Sequence, residues 1–204
     1  MASPLGHSIA GIAVVLSMVP VAEHGLGGLR RWGRKYFLLL VGAVFVANIP
    51  DFDYFPGLFT GDLNRFHRGF THSFAFCGGV TALCVLLSRL TVAGRRIAVR
   101  RLIFALVLLT FGHVVIDWLA QDLADPCGVP LFWPVSSTPF QFPFPVFPMV
   151  NKEEVWHLQN VLAAGVETFV MGAVCLVVAH ARGWRLKPNL ENSHDSTLAR
   201  DYCR

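Results

Sequence analysis

Residues 102–119 read LIFALVLLTFGHVVIDWL, an apolar run broken by His113 and Asp117 near its end. A spanning helix takes about 20 apolar residues, and about 17 is the lower limit. On such a helix His113 and Asp117, four apart, share one face at a separation of one turn. Ionisable groups within a span are costly, and they mark function by default. The stretch therefore carries two expectations: a membrane helix, and a polar site near one end of it.

Four further apolar stretches lie at about residues 8–22, 36–50, 73–92 and 161–180. The fold class this implies is all-α, a polytopic membrane helix bundle of about five spans. The first two stretches are short and must lean on flanking residues or a locally thin bilayer; four spans plus a re-entrant segment is the alternative. Composition agrees. Of 204 residues 54% are hydrophobic and only 15% charged, at a mean hydropathy of +0.53. A soluble domain carries about 25% charged residues, so a water-facing surface could not be covered. Disorder is excluded on the same grounds. No nucleic-acid partner is expected, despite a net charge of +4 and a pI near 9.0. The five cysteines (Cys77, Cys84, Cys127, Cys175 and Cys203) form no C-x-x-C pair, and three sit in apolar runs. They read as neither a disulfide framework nor a thiolate site.

Basic residues orient the chain. Arg30, Arg31, Arg34 and Lys35 follow the first stretch; Arg89, Arg95, Arg96, Arg100 and Arg101 end or follow the third; Arg182, Arg185, Lys187, Arg200 and Arg204 follow the fifth. Only Arg65, Arg68 and Lys152 of the 17 Lys and Arg fall on the other side. The positive-inside rule then places the N-terminus outside and the C-terminus in the cytoplasm. No basic residue precedes the first stretch, so it reads as a span and not as a cleaved signal peptide. Residues 1–187 are expected to form one membrane-embedded helical domain, and 188–204 a polar, disordered cytoplasmic tail. Residues 51–72 and 120–160 become outer loops. The second holds seven of the twelve prolines, interleaved with Phe132, Trp133, Phe140, Phe142, Phe144 and Phe147, which forbids a continuous helix and suits a loop lying on the bilayer surface.

This topology gathers seven potential metal ligands at one face: His7, Asp51, Asp53, His67, His72, His113 and Asp117. Imidazoles and carboxylates without thiolates suit Zn²⁺, Mn²⁺ or Fe²⁺. A catalytic zinc site uses about three protein ligands, and two ions sharing a carboxylate would use most of the seven. Each element also has a plain structural explanation. Pro50-Asp51-Phe52-Asp53 alone is a helix-ending turn, and Thr71 or Ser73 alone is a helix cap. Glu153 with His157, and Glu167 inside the fifth stretch, read as structural. His24, His180 and His194 read as surface residues on the cytoplasmic side.

The strings Pro50-Asp51-x-Asp53, His67-Arg68-Gly69-x-Thr71-His72-Ser73, Gly112-His113-x-x-x-Asp117 and Gly128-Val129-Pro130-Leu131-Phe132-Trp133-Pro134, in that order, resemble the YdjM-like family. The likeness covers about residues 5–135. It implies a bacterial or archaeal inner-membrane protein of metal-dependent hydrolase type. The ligand order also looks like that of zinc-dependent phospholipase C and related single-strand nucleases, all-α enzymes with metal clusters. Carried over, His7, one of Asp51 and Asp53, one of His67 and His72, His113 and Asp117 become metal ligands. The downstream H-x-x-x-E of those enzymes is missing; only Glu153 and His157 in reversed order, or Glu167, could stand in.

The expected function is hydrolysis of a phosphate ester or a lipid-like or small-molecule substrate at the outer membrane face, with membrane lipids as surroundings. One or two divalent ions, zinc first, with Mn or Fe as alternatives, would supply hydroxide as nucleophile. Asp117 and Arg68 are the expected catalytic residues, Arg68 because a planar guanidinium suits a phosphate. The alternative is a metal-binding transport or scaffold protein without catalysis. A transporter places polar groups near the midplane, whereas these cluster at one face.

Overall fold

Helix α1 (Pro4–Met18) starts where the sequence supplies both start signals: Ser3 accepts from the Gly6 N–H as the cap, and Pro4 occupies the first helical position. The computed structural model describes residues 2–21, 23–61, 66–67, 69–91, 98–123, 127–151 and 156–185. Arg68, Glu153 and the tail 188–204 lie outside the described residues. The other helices are α2 (Gly25–Lys35), α3 (Phe37–Ala47), α4 (Tyr54–Thr60), α5 (Phe74–Leu90), α6 (Val99–Trp118) and α7 (Leu158–Ala181). Two short 3-10 turns, Ile49–Asp53 and Phe70–His72, complete the helical elements among the described residues.

Helix α1 packs on α3, α6 and α7, while α5 packs on α6. Paired contacts give the directions. Ser3 meets Glu167 and Ile9 meets Cys175, so α1 and α7 run parallel. Ala2 meets Asp117 and His7 stacks on His113, so α1 and α6 run antiparallel. The Thr81–Thr110 contact and the His72–His113 contact set α5 antiparallel to α6. The starts of α1 and α5 and the ends of α3 and α6 therefore share one end of the bundle. At the opposite end, basic α2 is held by Trp32 donating to the Val19 carbonyl and by Gly25 donating to that of Arg185.

Helices α6 and α7, of 20 and 24 residues, are long and apolar enough to cross a membrane. A third span is available if α3 and the segment Ile49–Gly57 are counted together, across a bend of 55°. At 15 and 17 residues, α1 and α5 are apolar but shorter. At 1.5 Å per residue they reach about 22–26 Å, against a hydrocarbon core of about 30 Å. Large apolar side chains on α3 and α7 point outward, among them Leu38, Phe169 and Val177. Such surface needs lipid.

The two regions expected as plain loops are more ordered than that. Residues 51–72 contain α4, all of the Phe70–His72 turn and part of the Ile49–Asp53 turn. The proline-rich segment has no helix among its described residues, as proline density requires, but it folds back over the bundle end. Leu131 accepts from the Phe74 N–H, Phe147 from that of Gln121, and Leu119 from that of Val146. Val129, Leu131 and Phe147 are buried as a result. Gly128 makes the turn possible: its φ is +99°, and a Cβ there would lie 2.4 Å from the Phe140 carbonyl oxygen.

Candidate metal centre

The break after α3 begins the site. Pro50 has no N–H to continue the helix, and the Asp51 N–H turns to the Asn48 carbonyl at 3.2 Å. In a continuous α-helix that N–H would have bonded the Ala47 carbonyl. The freed Ala47 oxygen instead lies 2.7 Å from His113 Nδ1. A carbonyl only accepts, so Nδ1 of His113 carries the proton and Nε2 presents a lone pair. The same turn carries Asp51 and Asp53 inward, both buried.

His72 is oriented by a second chain of contacts. The Thr71 hydroxyl donates to Asp53 Oδ2 at 2.6 Å and faces His72 Nδ1 at 3.0 Å. With its proton committed to the carboxylate, that hydroxyl accepts from Nδ1, so the neutral His72 ring also presents Nε2 as a lone pair. Ser73, next in sequence, caps α5 by accepting from the Phe76 N–H.

Four atoms then face one another. His72 Nε2 lies 3.4 Å from His113 Nε2, 3.4 Å from Asp51 Oδ1 and 3.3 Å from Asp117 Oδ2. His113 Nε2 lies 3.5 Å from Asp51 Oδ1 and 3.2 Å from Asp117 Oδ2. All four residues are buried. None of these atoms is committed to a donor elsewhere among the contacts described, and Asp117 Oδ2 is buried without a hydrogen-bond partner. Lone pair facing lone pair in a buried site is unfavourable unless a cation stands between them. In the metal-free protein a proton takes that place. Burial alone would lower the His72 pKa, but the carboxylates of Asp117, Asp51 and Asp53 hold it well above the ordinary imidazole value. The donor set fits a divalent metal ion.

A family model described as YdjM inner membrane protein matches residues 1–186. The chain belongs to that family. No curated protein and no solved structure matches.

In this YdjM-family chain the seven expected ligands divide. Asp51, His72, His113 and Asp117 converge. Asp53 and His67 form a neighbouring group that shares His72, with His67 Nδ1 2.7 Å from Asp53 Oδ1 and the His67 ring stacked on Tyr54 at 3.7 Å. His7 lies between, stacked on His113 at 3.7 Å with its Nε2 3.3 Å from Asp117 Oδ1. Of the residues expected to be structural, His157 is exposed and caps α7, accepting from the Gln159 N–H. His24 and His180 are exposed too. Glu167 is buried and paired with Ser3. Sequence reasoning does not single out Thr71, the Ala47 carbonyl or buried Asp122, which accepts from the Gly128 N–H at 2.9 Å, as parts of the site end. Thr71 stands inside the quoted histidine string and is legible there; a backbone carbonyl freed by a helix break is not.

Proposed function

We propose that this protein is a zinc-dependent hydrolase of phosphate esters, embedded in the inner membrane with its site at the outer face. One observation carries the reading: two imidazole nitrogens and two carboxylate oxygens, all on buried residues, converge within 4.8 Å of one another. Zinc with N and O ligands at about 2.0–2.1 Å in a tetrahedron sets neighbouring ligand atoms about 3.3–3.4 Å apart. The five separations given above run from 3.2 to 3.5 Å. Asp51, His72, His113 and Asp117 are thus the ligands of one ion.

When bound, a zinc ion activates water near neutral pH and polarises the ester oxygen. The chain's own residues do the rest. Ala47 holds His113 in the ligating tautomer, and the Asp53–Thr71 pair does so for His72. Asp51 is the most exposed of the four at 9%, so substrate would approach from its side, and Asp51 is the residue that would give way if a catalytic ion needed an open position. Arg68, four residues before His72, neutralises the substrate phosphate with its guanidinium. Lipid-like substrates fit a site at headgroup depth. The orientation rests on the basic asymmetry: N-terminus outside, C-terminus in the cytoplasm, five crossings with α1 and α5 in thinned bilayer.

The test is detergent-purified, zinc-loaded protein with a panel of phospholipid, lipid-pyrophosphate, nucleotide and carboxylic-ester substrates. The reading expects turnover of a phosphate ester, lost in His113→Ala. Stoichiometric metal with no turnover on any of them would overturn the hydrolase in favour of a non-catalytic metal protein.

A further inference from the structure

Glu167 sits within α7, fully buried, in the middle of a helix long enough to cross the membrane. A carboxylate there is expensive unless held. It is held by a single residue at the start of another helix. Oε1 accepts the Ser3 backbone N–H at 2.7 Å, and Oε2 accepts the Ser3 hydroxyl. That hydroxyl oxygen in turn accepts the Gly6 N–H at 3.4 Å.

This pattern is a capping box divided between two helices. In the ordinary box, the capping Ser bonds the N–H three residues on, and a Glu at that third position reaches back to the Ser N–H. Here Ser3 makes the first bond, but the third position is Gly6, which has no side chain. Glu167 reaches in from α7 and makes the second bond. The missing side chain is a condition of the arrangement: a Cβ on Gly6 would stand 2.8 Å from Glu167 Oε2.

The neighbouring residues carry the consequence to the metal centre. Ala2, directly before the cap and buried, donates its N–H to Asp117 Oδ1 at 3.1 Å. His7, one turn into α1, stacks on His113. Asp117 is thereby gripped through Oδ1 while Oδ2 faces His72 and His113. We propose that Glu167 is a positioning residue of the metal centre: by completing the cap of α1 from α7, it sets the two residues of the N-terminal segment, Ala2 and His7, that orient Asp117 and His113. The metal arm of this inference rests on the function proposed above; its structural arm does not.

The experiment uses the full-length protein with Glu167→Ala, Glu167→Gln, Ser3→Ala and Gly6→Ala, each read for Zn²⁺ affinity by competition with a chelating dye. Outer partners of metal ligands are worth about 10–100-fold in affinity. Glu167→Ala and Gly6→Ala should weaken zinc by about tenfold or more. Glu167→Gln, which still accepts the Ser3 N–H and can donate to its hydroxyl, should recover most of that loss. A second readout needs no metal: Ala2→Cys placed in each background and labelled with a thiol reagent in zinc-free protein. Labelling should be equally slow in the wild-type and Glu167→Gln backgrounds, and several-fold faster in Glu167→Ala. Normal zinc affinity with unchanged labelling in Glu167→Ala and Gly6→Ala overturns the proposal. Faster labelling with unchanged zinc affinity overturns the positioning role and leaves only a helix lock. A wild-type protein that binds no zinc sinks the proposed function, whereas the labelling contrast then stands or falls by itself.

Discussion

Asp51 and Asp53 stand two residues apart in one 3-10 turn, and His72 and His67 stand in one short string, yet the two pairs live differently. Asp53 is saturated: it accepts from the Thr71 hydroxyl at 2.6 Å and contacts His67 Nδ1 at 2.7 Å. Among the described residues the Asp51 carboxylate reaches imidazole nitrogens, at 3.4 and 3.5 Å. The short contacts of Asp53 are strong hydrogen bonds, whereas the longer ones of Asp51 leave space for an ion among the facing atoms. Residue type alone would make all four of them ligands; on the function proposed above Asp51 and His72 ligate, and Asp53 and His67 support them.

The largest effects should come from the converging group. Asp117→Asn keeps the shape but replaces the charged oxygen, and His113→Ala removes a nitrogen. Each should abolish stoichiometric metal, or weaken it by more than the roughly 100-fold that an outer partner is worth. Metal analysis after gel filtration checks this, while far-UV circular dichroism should stay helical. Loss of metal in Asp53→Asn as complete as in Asp117→Asn would break the distinction between the groups.

Intermediate effects belong to the supports. Thr71→Val removes the hydroxyl that fixes the His72 tautomer, and Asp53→Asn weakens its anchor. Both should keep one ion per chain but bind it about 10–100-fold more weakly by chelator competition. His67→Ala, one contact further out, should cost less than either.

Acidity sharpens the same comparison. In the metal-free protein the His72 pKa is raised above its unfolded value, so its protonated form stabilises the fold below the ordinary imidazole range, and that contribution is lost as pH rises through the raised value. Metal demands the neutral ring, so its stabilisation runs the other way. The Tm difference between zinc-loaded and zinc-free protein should therefore widen as pH rises from about 5 to 8. A difference independent of pH would remove His72 from the ligand set.

Much of this is legible in sequence for a physical reason. The Val99–Trp118 helix declares itself by hydropathy, and His113 with Asp117 by an intramembrane spacing that only a helix could make useful. Pro50 announces the break that brings Asp51 inward. What stays hidden depends on partners far along the chain. Glu167 reads as an isolated acid until Ser3 and Gly6 are beside it, 164 residues apart for the Ser3 bond. What separates Asp51 from Asp53 is the engagement of Asp53 by Thr71 and His67, and what orients His113 is the Ala47 carbonyl; no spacing rule assigns either. Helix α2 is hidden by its polarity and its glycines, since it is stabilised by Trp32 and by Arg185 from the far end of the chain.

X-ray absorption on zinc-supplemented, detergent-purified protein tests the central claim most directly. The account predicts one zinc per chain in a four-coordinate shell of nitrogen and oxygen at about 2.0–2.1 Å, two of the ligands showing imidazole scattering. Protein that retains no zinc, or a shell containing sulfur at about 2.3 Å, would contradict it.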